Sequence, residues 1–144
     1  MKKFFLSFLL LIFCGFCYAQ MQYTFPLKTT TFPLSEETDI DALMQNLQTY
    51  FEGQQNCHIV ISAGKTHKIM GRFSSSVFYK KGWVWILFDA SCEGNELIVK
   101  YDAGSKKKNV SKLFKGAIYT DKQNQIERIV DNMNAEINEM TKNY

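Results

Sequence analysis

The run Trp83-Val84-Trp85-Ile86-Leu87-Phe88-Asp89-Ala90-Ser91-Cys92, the dipeptide Glu93-Gly94 and the run Asn95-Glu96-Leu97-Ile98-Val99-Lys100-Tyr101-Asp102-Ala103 decide the fold. Both runs alternate with a period of two, the signature of strands with one buried face. A two-residue Glu93-Gly94 turn folds them into a hairpin that sets Ala90 against Leu97, Phe88 against Val99, Ile86 against Tyr101 and Val84 against Ala103. Every one of these pairs is apolar. The other face then sets Ser91 against Glu96, Asp89 against Ile98, Leu87 against Lys100 and Trp85 against Asp102. The apolar set marks the buried side, and a one-residue slip would turn it to solvent.

The preceding hairpin reads the same way. A two-residue Gly64-Lys65 loop would place Lys68 opposite Ile61 and carry a lysine into the core. A three-residue loop, Gly64 to Thr66, instead pairs Ile61 with Ile69, Ile59 with Gly71 and Cys57 with Phe73. Ser74-Ser75-Ser76 reads as a bulge or loop before Val77-Phe78-Tyr79, and Lys80-Lys81-Gly82 turns the chain into the Trp83 strand. Residues 22 to 34, rich in Thr and aromatics and interrupted by Pro26 and Pro33, suit an irregular or edge strand.

Two helices flank these strands. Thr38, answered by Asp41, is the expected cap of a helix over roughly 39 to 52. Its stripe is Ile40, Leu43, Met44, Leu47, Tyr50 and Phe51, and Gly53 ends it. Thr120 with Gln123 opens a second helix, in which Ile126, Ile129, Val130, Met133, Ile137 and Met140 recur at helical spacing. The expected architecture is α+β: an antiparallel sheet of about four or five strands with two helices packed on one face.

In that setting the phrase Phe32-Pro33-Leu34-Ser35-Glu36-Glu37-Thr38, the strand Lys68-Ile69-Met70-Gly71-Arg72-Phe73, the segment Tyr79-Lys80-Lys81-Gly82-Trp83 and the closing helix resemble a secreted bacterial domain-of-unknown-function family with a TATA-binding-protein-like fold. The resemblance implies that fold, with no established activity and no defined catalytic residues, so no site is carried over. A fold shared with a DNA-binding protein does not imply DNA binding.

At the amino end, Met1-Lys2-Lys3 is cationic, Phe4 to Phe16 is apolar apart from Ser7 and Gly15, and Cys17-Tyr18-Ala19 places small residues before a cut. This is the pattern of a secretory signal peptide over residues 1 to 19, leaving one domain over 20 to 144 that is periplasmic or secreted. The run is short for a bilayer crossing and no second hydrophobic segment follows, so no membrane span is expected. Cys14 and Cys17 each follow a phenylalanine, which argues against lipid anchoring. Removing Lys2 and Lys3 from 17 Lys and Arg leaves 15 against 14 Asp and Glu, a net charge of +1. That balance gives no reason to expect nucleic acid as a partner.

No motif in the chain asks for a cofactor or a metal. His58 falls on the open sheet face and His67 on the core-side parity near a turn, so they do not converge on one ion, and zinc needs three or four ligands that do. Cys57 and Cys92 remain after processing. In a plain meander, however, they sit at opposite ends of strands running in the same direction, roughly 25 Å apart at ~3.3 Å per residue, which disfavours a Cys57–Cys92 disulfide. Neither thiol has a histidine partner in this register, so no catalytic role is expected. Lys106-Lys107-Lys108, Lys112 and Lys115, interleaved with Leu113, Phe114 and Tyr119, read as a solvated loop before the last helix, the alternative being a patch for an anionic polymer or a lipid headgroup surface. Asn109-Val110-Ser111 matches the glycosylation triplet.

The most suggestive feature is the sheet face that the helices leave uncovered. Val60, Met70, Trp83, Trp85, Leu87 and Ile98 cluster there, rimmed by His58, Lys68, Arg72, Asp89, Lys100 and Asp102. An apolar centre with a charged rim is the composition of a partner surface. The expected function is therefore a non-enzymatic binding module for a protein, peptide or carbohydrate-like ligand, contacting it through Trp83, Trp85, Leu87, Ile98, Met70, Val60, Lys100 and Arg72. The alternatives are a subunit whose face is buried in a homodimer, and an envelope hydrolase.

Overall fold

A computed structural model describes residues 21, 23–64, 66–106, 109–115 and 120–144; the signal-peptide reading of residues 1 to 19 lies outside them. The elements are β1 (Tyr23–Pro33), α1 (Ile40–Glu52), β2 (His58–Ile61), β3 (Lys68–Tyr79), β4 (Gly82–Glu93), β5 (Glu96–Ser105), α2 (Ser111–Lys115) and α3 (Thr120–Thr141). The sheet runs β1-β5-β4-β3-β2 with every neighbouring pair antiparallel. The fold is α+β, a meander from β2 to β5 with β1 added at the far edge. Among the described residues no helix is long and apolar enough to cross a membrane.

The parity of the β4–β5 hairpin is as the alternation requires, but its register differs by two residues. Ala90 faces Val99, Phe88 faces Tyr101 and Ile86 faces Ala103, while Cys92 takes Leu97. Gly94-Asn95, not Glu93-Gly94, forms the turn. Gly94 then occupies the first central position at φ +59°, where a type II′ turn wants glycine. The same shift sets Asp89 opposite Lys100 rather than Ile98, replacing a carboxylate against an aliphatic chain by an opposite-charge pair. An even shift leaves each side chain on its face.

In the β2–β3 hairpin Ile59 faces Gly71 as expected, but an irregularity after Ile59 brings Ile61 opposite Met70 rather than Ile69, and Cys57 lies outside the strand. Ser74-Ser75-Ser76 is a bulge inside one continuous β3: pairing passes from Ser74–Trp85 to Val77–Val84. The serines satisfy the backbone that the bulge displaces. Ser75 Oγ donates to the Val84 carbonyl at 2.6 Å and accepts from Val77 N at 3.1 Å, and Ser74 N donates to the Gln55 carbonyl at 2.8 Å.

Both long helices pack on the even-numbered side of β4. Val84, Ile86, Phe88 and Ala90 are buried there with Leu43, Met44, Leu47 and Phe51 of α1 and Ile126, Val130, Met133 and Ile137 of α3. The cap of α1 is Asp39, whose carboxylate accepts from Ala42 N at 3.1 Å, and not Thr38, whose hydroxyl lies 3.1 Å from that of Ser35. Asp41 is thereby released to meet His67 Nε2 at 2.7 Å, tying α1 to the start of β3. In α3 the Gln123 amide donates to Glu127 one turn on, at 3.1 Å. Where a loop was expected before the last helix, α2 forms. Leu113 and Val110 are fully buried, and Phe114 stacks on Phe25 at 4.9 Å.

At the centre of the core the Phe88 ring lies parallel to Phe51 at 4.0 Å. Gly71 on the adjacent strand makes the space: a Cβ there would come within 2.7 Å of the Phe88 ring and closer still to the His58 carbonyl oxygen. Gly71→Ala is therefore expected to lower stability by about 1 to 3 kcal/mol through overpacking. An unchanged urea midpoint would show that Phe88 can move aside.

Candidate functional site

The odd-numbered side of β4 faces away from the helices, as do its cross-strand partners. Three rungs define the Trp83 end of this face: Phe78 beside Trp83, then Ser74 and Gly104 on either side of Trp85, then Arg72 and Asp102 on either side of Leu87. Phe78 and Trp83 are each half exposed and meet edge to face at 5.3 Å. Trp85 is half buried beneath two cations, with the Arg72 guanidinium 5.1 Å and Lys106 Nζ 5.9 Å from its ring centroid.

The expected site residues thus separate into groups. Trp83, Trp85 and Arg72 are brought together, and Lys106 joins them. Leu87 is not available as an anchor: it is buried, and it leans over Gly104, where an added Cβ would meet Leu87 Cδ1 at 2.5 Å and Met21 Sδ at 3.4 Å. Met21, itself buried, covers this part of the sheet from the chain segment just before β1. Met70, Ile98 and the exposed Lys100 lie toward the other end of the face, and Val60, 38% exposed, is on the short strand β2.

That other end is a charge-balanced lattice. Lys68 reaches Asp89 at 3.6 Å and Lys100 reaches Asp102 at 4.0 Å. Burial raises the Asp102 carboxyl above its ordinary 3.8, opposed by Lys100 and reinforced by Asp89. A carboxyl raised on folding contributes most stability below its unfolded value and loses that contribution as pH rises through the folded value. Asp102→Asn should therefore gain stability relative to the parent as pH rises through this window. Parallel denaturant titrations at acid and neutral pH check it; a constant gap would contradict the desolvated placement.

Phe78 is the functional candidate that reading the sequence missed. The signal was present, because a two-residue Lys80-Lys81 turn, rather than a turn over Lys80 to Gly82, puts Phe78 opposite Trp83. Lys80 and Lys81 both hold positive φ, +45° and +67°, in positions that favour Asn and Gly. Strain of roughly 1 kcal/mol or more is stored there beside the aromatic pair. Replacing the turn by Lys80→Asn with Lys81→Gly should raise the thermal midpoint, and a fall would mean the lysine side chains stabilise the turn more than its backbone costs.

The other candidates are placed as follows. Cys57 and Cys92 are free thiols. Burial, with Glu52 nearby, pushes Cys57 up to about 11, and burial also raises Cys92, which contacts Met44 Sδ at 3.5 Å. His58 is exposed and His67 is engaged with Asp41. Among the described residues no three His, Cys, Asp or Glu side chains gather in a metal-binding group. Of the basic stretch, Lys107, Lys108 and Tyr119 lie outside the described residues; Leu113 is core, and Lys115 lies over Phe25 at 6.0 Å.

Comparisons with protein-family models, with curated proteins and with solved structures find no match to this chain. They do not bear on the resemblance to the secreted domain-of-unknown-function family or on a TATA-binding-protein-like fold.

Proposed function

We propose that the chain is a non-enzymatic binding module, acting in the periplasm or outside the cell, that captures a protein, peptide or carbohydrate-like ligand on the Trp83 end of its helix-free sheet face. The observation that carries this reading is the pair of half-exposed rings, Phe78 and Trp83, held edge to face at 5.3 Å on a rigid hairpin. Large aromatic surfaces whose orientation is already set lose little conformational entropy when a ligand covers them. The extracytoplasmic setting rests on the signal-peptide pattern of residues 1 to 19.

A catalytic role draws less support from the same residues. Both thiols are shifted toward the protonated, unreactive form, and the perturbed carboxyl of Asp102 has a lysine and a second aspartate as its neighbours rather than a nucleophile it could activate.

The reading is tested with Phe78→Ser and Trp83→Ser combined. Each half-exposed ring should cost about 1 to 2 kcal/mol on truncation, against roughly 3 to 5 for a core aromatic, so the variant stays folded while its ligand is lost. Thermal melting, light scattering and recovery of bound envelope material by the two proteins are compared. A collapsed melting transition would make the rings core. A parent dimer that dissociates in the variant would assign the face to self-association, and identical recovery by both proteins would end the proposal.

A further inference from the structure

The hairpin that carries the two half-exposed rings runs past its neighbours at one end. β5 pairs with β4 only from Trp85 onward and β2 with β3 only as far as Arg72, so among the described residues the Phe78–Trp83 and Tyr79–Gly82 rungs have no third strand beside them. The inner side of this arm is backed by the core: Val77, Tyr79 and Val84 are buried, and Lys122 of α3 donates to the Phe78 carbonyl at 2.7 Å. Its outer side presents Phe78 and Trp83, and its tip presents the exposed Lys80 and Lys81. Each ring is two residues from a turn lysine, about 7 Å at ~3.3 Å per residue.

Charge is separated along the strand direction. Lys106 is exposed where β5 ends beside the arm, and α2, seated through Phe114 on Phe25, holds Lys112 and Lys115 exposed at the same end. None of Lys80, Lys81, Lys106, Lys112 and Lys115 makes an ion pair among the described residues. Asp121 stands among them in the first turn of α3, and Arg72 is offset by Asp102 on its own rung. At the Gly94 end the exposed charges are Glu36, Glu37, Asp39, Glu93 and Glu96, with Glu93 directly opposite Glu96. The twelve residues of β4 hold these ends roughly 40 Å apart at ~3.3 Å each. Salt screens over about 8 Å at physiological strength, so a charged surface meets one end without the other. An anionic surface is met by the arm.

The shape of the arm selects the kind of surface. Two half-exposed rings leave roughly 200 Å² of apolar area, whereas a stable protein partner covers about 800 Å². A bilayer interface asks for less. Aromatic rings settle at the headgroup level, apolar groups reach about 5–10 Å into the boundary, and lysine stems lie along the apolar zone with their ammonium groups among the phosphates. The ~7 Å from turn to ring matches that depth. One shallow anchor holds weakly, and basic residues around it supply the second signal that reversible docking needs.

We propose that the β3–β4 arm docks the protein on an anionic phospholipid surface, with Phe78 and Trp83 set into the headgroup boundary and Lys80, Lys81, Lys106, Lys112 and Lys115 against the phosphates. The lipid surface is a further partner for the same rings and does not rest on the soluble-ligand reading. The test is co-sedimentation of the purified protein with phosphatidylcholine vesicles, with and without phosphatidylglycerol. The anionic vesicles should bind at least about tenfold more tightly than the neutral ones, and less tightly as salt rises. Phe78→Ser with Trp83→Ser should weaken binding about tenfold or more, as should Lys80→Asn with Lys81→Gly, a turn expected to melt no lower than the parent. Glu36→Gln with Glu37→Gln, at the far end, should leave binding within about twofold. In Trp85→Phe the remaining tryptophan is Trp83, and lipids brominated on their acyl chains should quench it. Equal binding to neutral vesicles, or indifference to the Lys80/Lys81 change, would overturn the anionic surface, and an unquenched Trp83 on bound protein would overturn insertion of the arm. Binding to neither vesicle would overturn the proposal; if the Phe78/Trp83 double variant still loses its envelope ligand, the soluble-ligand reading stands alone. If neither vesicle binds and that variant recovers the same envelope material as the parent, both readings fall.

Discussion

The parallel stack of Phe88 on Phe51 is where sheet and helix layer are joined. Phe88 is in the central strand of five, and its ring needs the space that Gly71 leaves on the neighbouring strand. With that contact made, the remaining even-numbered side chains of β4 meet α1 and α3, and every odd-numbered one is turned to the opposite face. The burial of one stripe thus decides the exposure of the other. Two tryptophans on a two-layer domain's outer face follow from the same geometry.

That outer face is not uniform, and its two ends have different physical characters. Toward the Gly94 turn, lysines and aspartates pair at salt-bridge distances, Lys68 with Asp89 across strands and Lys100 with Asp102 along β5. Toward the Lys80-Lys81 turn, two apolar rings are half exposed and cations lie over the rings of Trp85 and Tyr79. The serine bulge in β3 contributes to the division. By inserting two residues between Ser74 and Val77 it shifts the register with β4 by two and keeps the parity, so that Phe78, on the outer face, arrives opposite Trp83 while Val77 and Tyr79 stay inward. Met21 and Leu87, both buried, close over Gly104.

The alternating runs of β4 and β5 and the helical stripes of α1 and α3 were legible as sequence because each is a local repeat that only one backbone period satisfies. Strand and helix identity, the buried face of the hairpin and the α+β class all come from such repeats, as does the edge position suggested by Pro26 and Pro33. Parity is determined this way, but register is not, since a period of two is unchanged by a shift of two residues. The tertiary structure chose between the equivalent registers through the positive φ of Gly94 and the pairing of Asp89 with Lys100. Likewise Asp39 rather than Thr38 is the cap, and Asp41 is engaged by His67, a contact across 26 residues that no local spacing announces. The same holds for the site: Trp83 and Trp85 could be placed on the outer face from alternation alone. That Leu87 is covered, that Phe78 joins Trp83 and that Arg72 and Lys106 converge on one indole depended on a bulge, a tight turn and the meeting of segments distant in the chain.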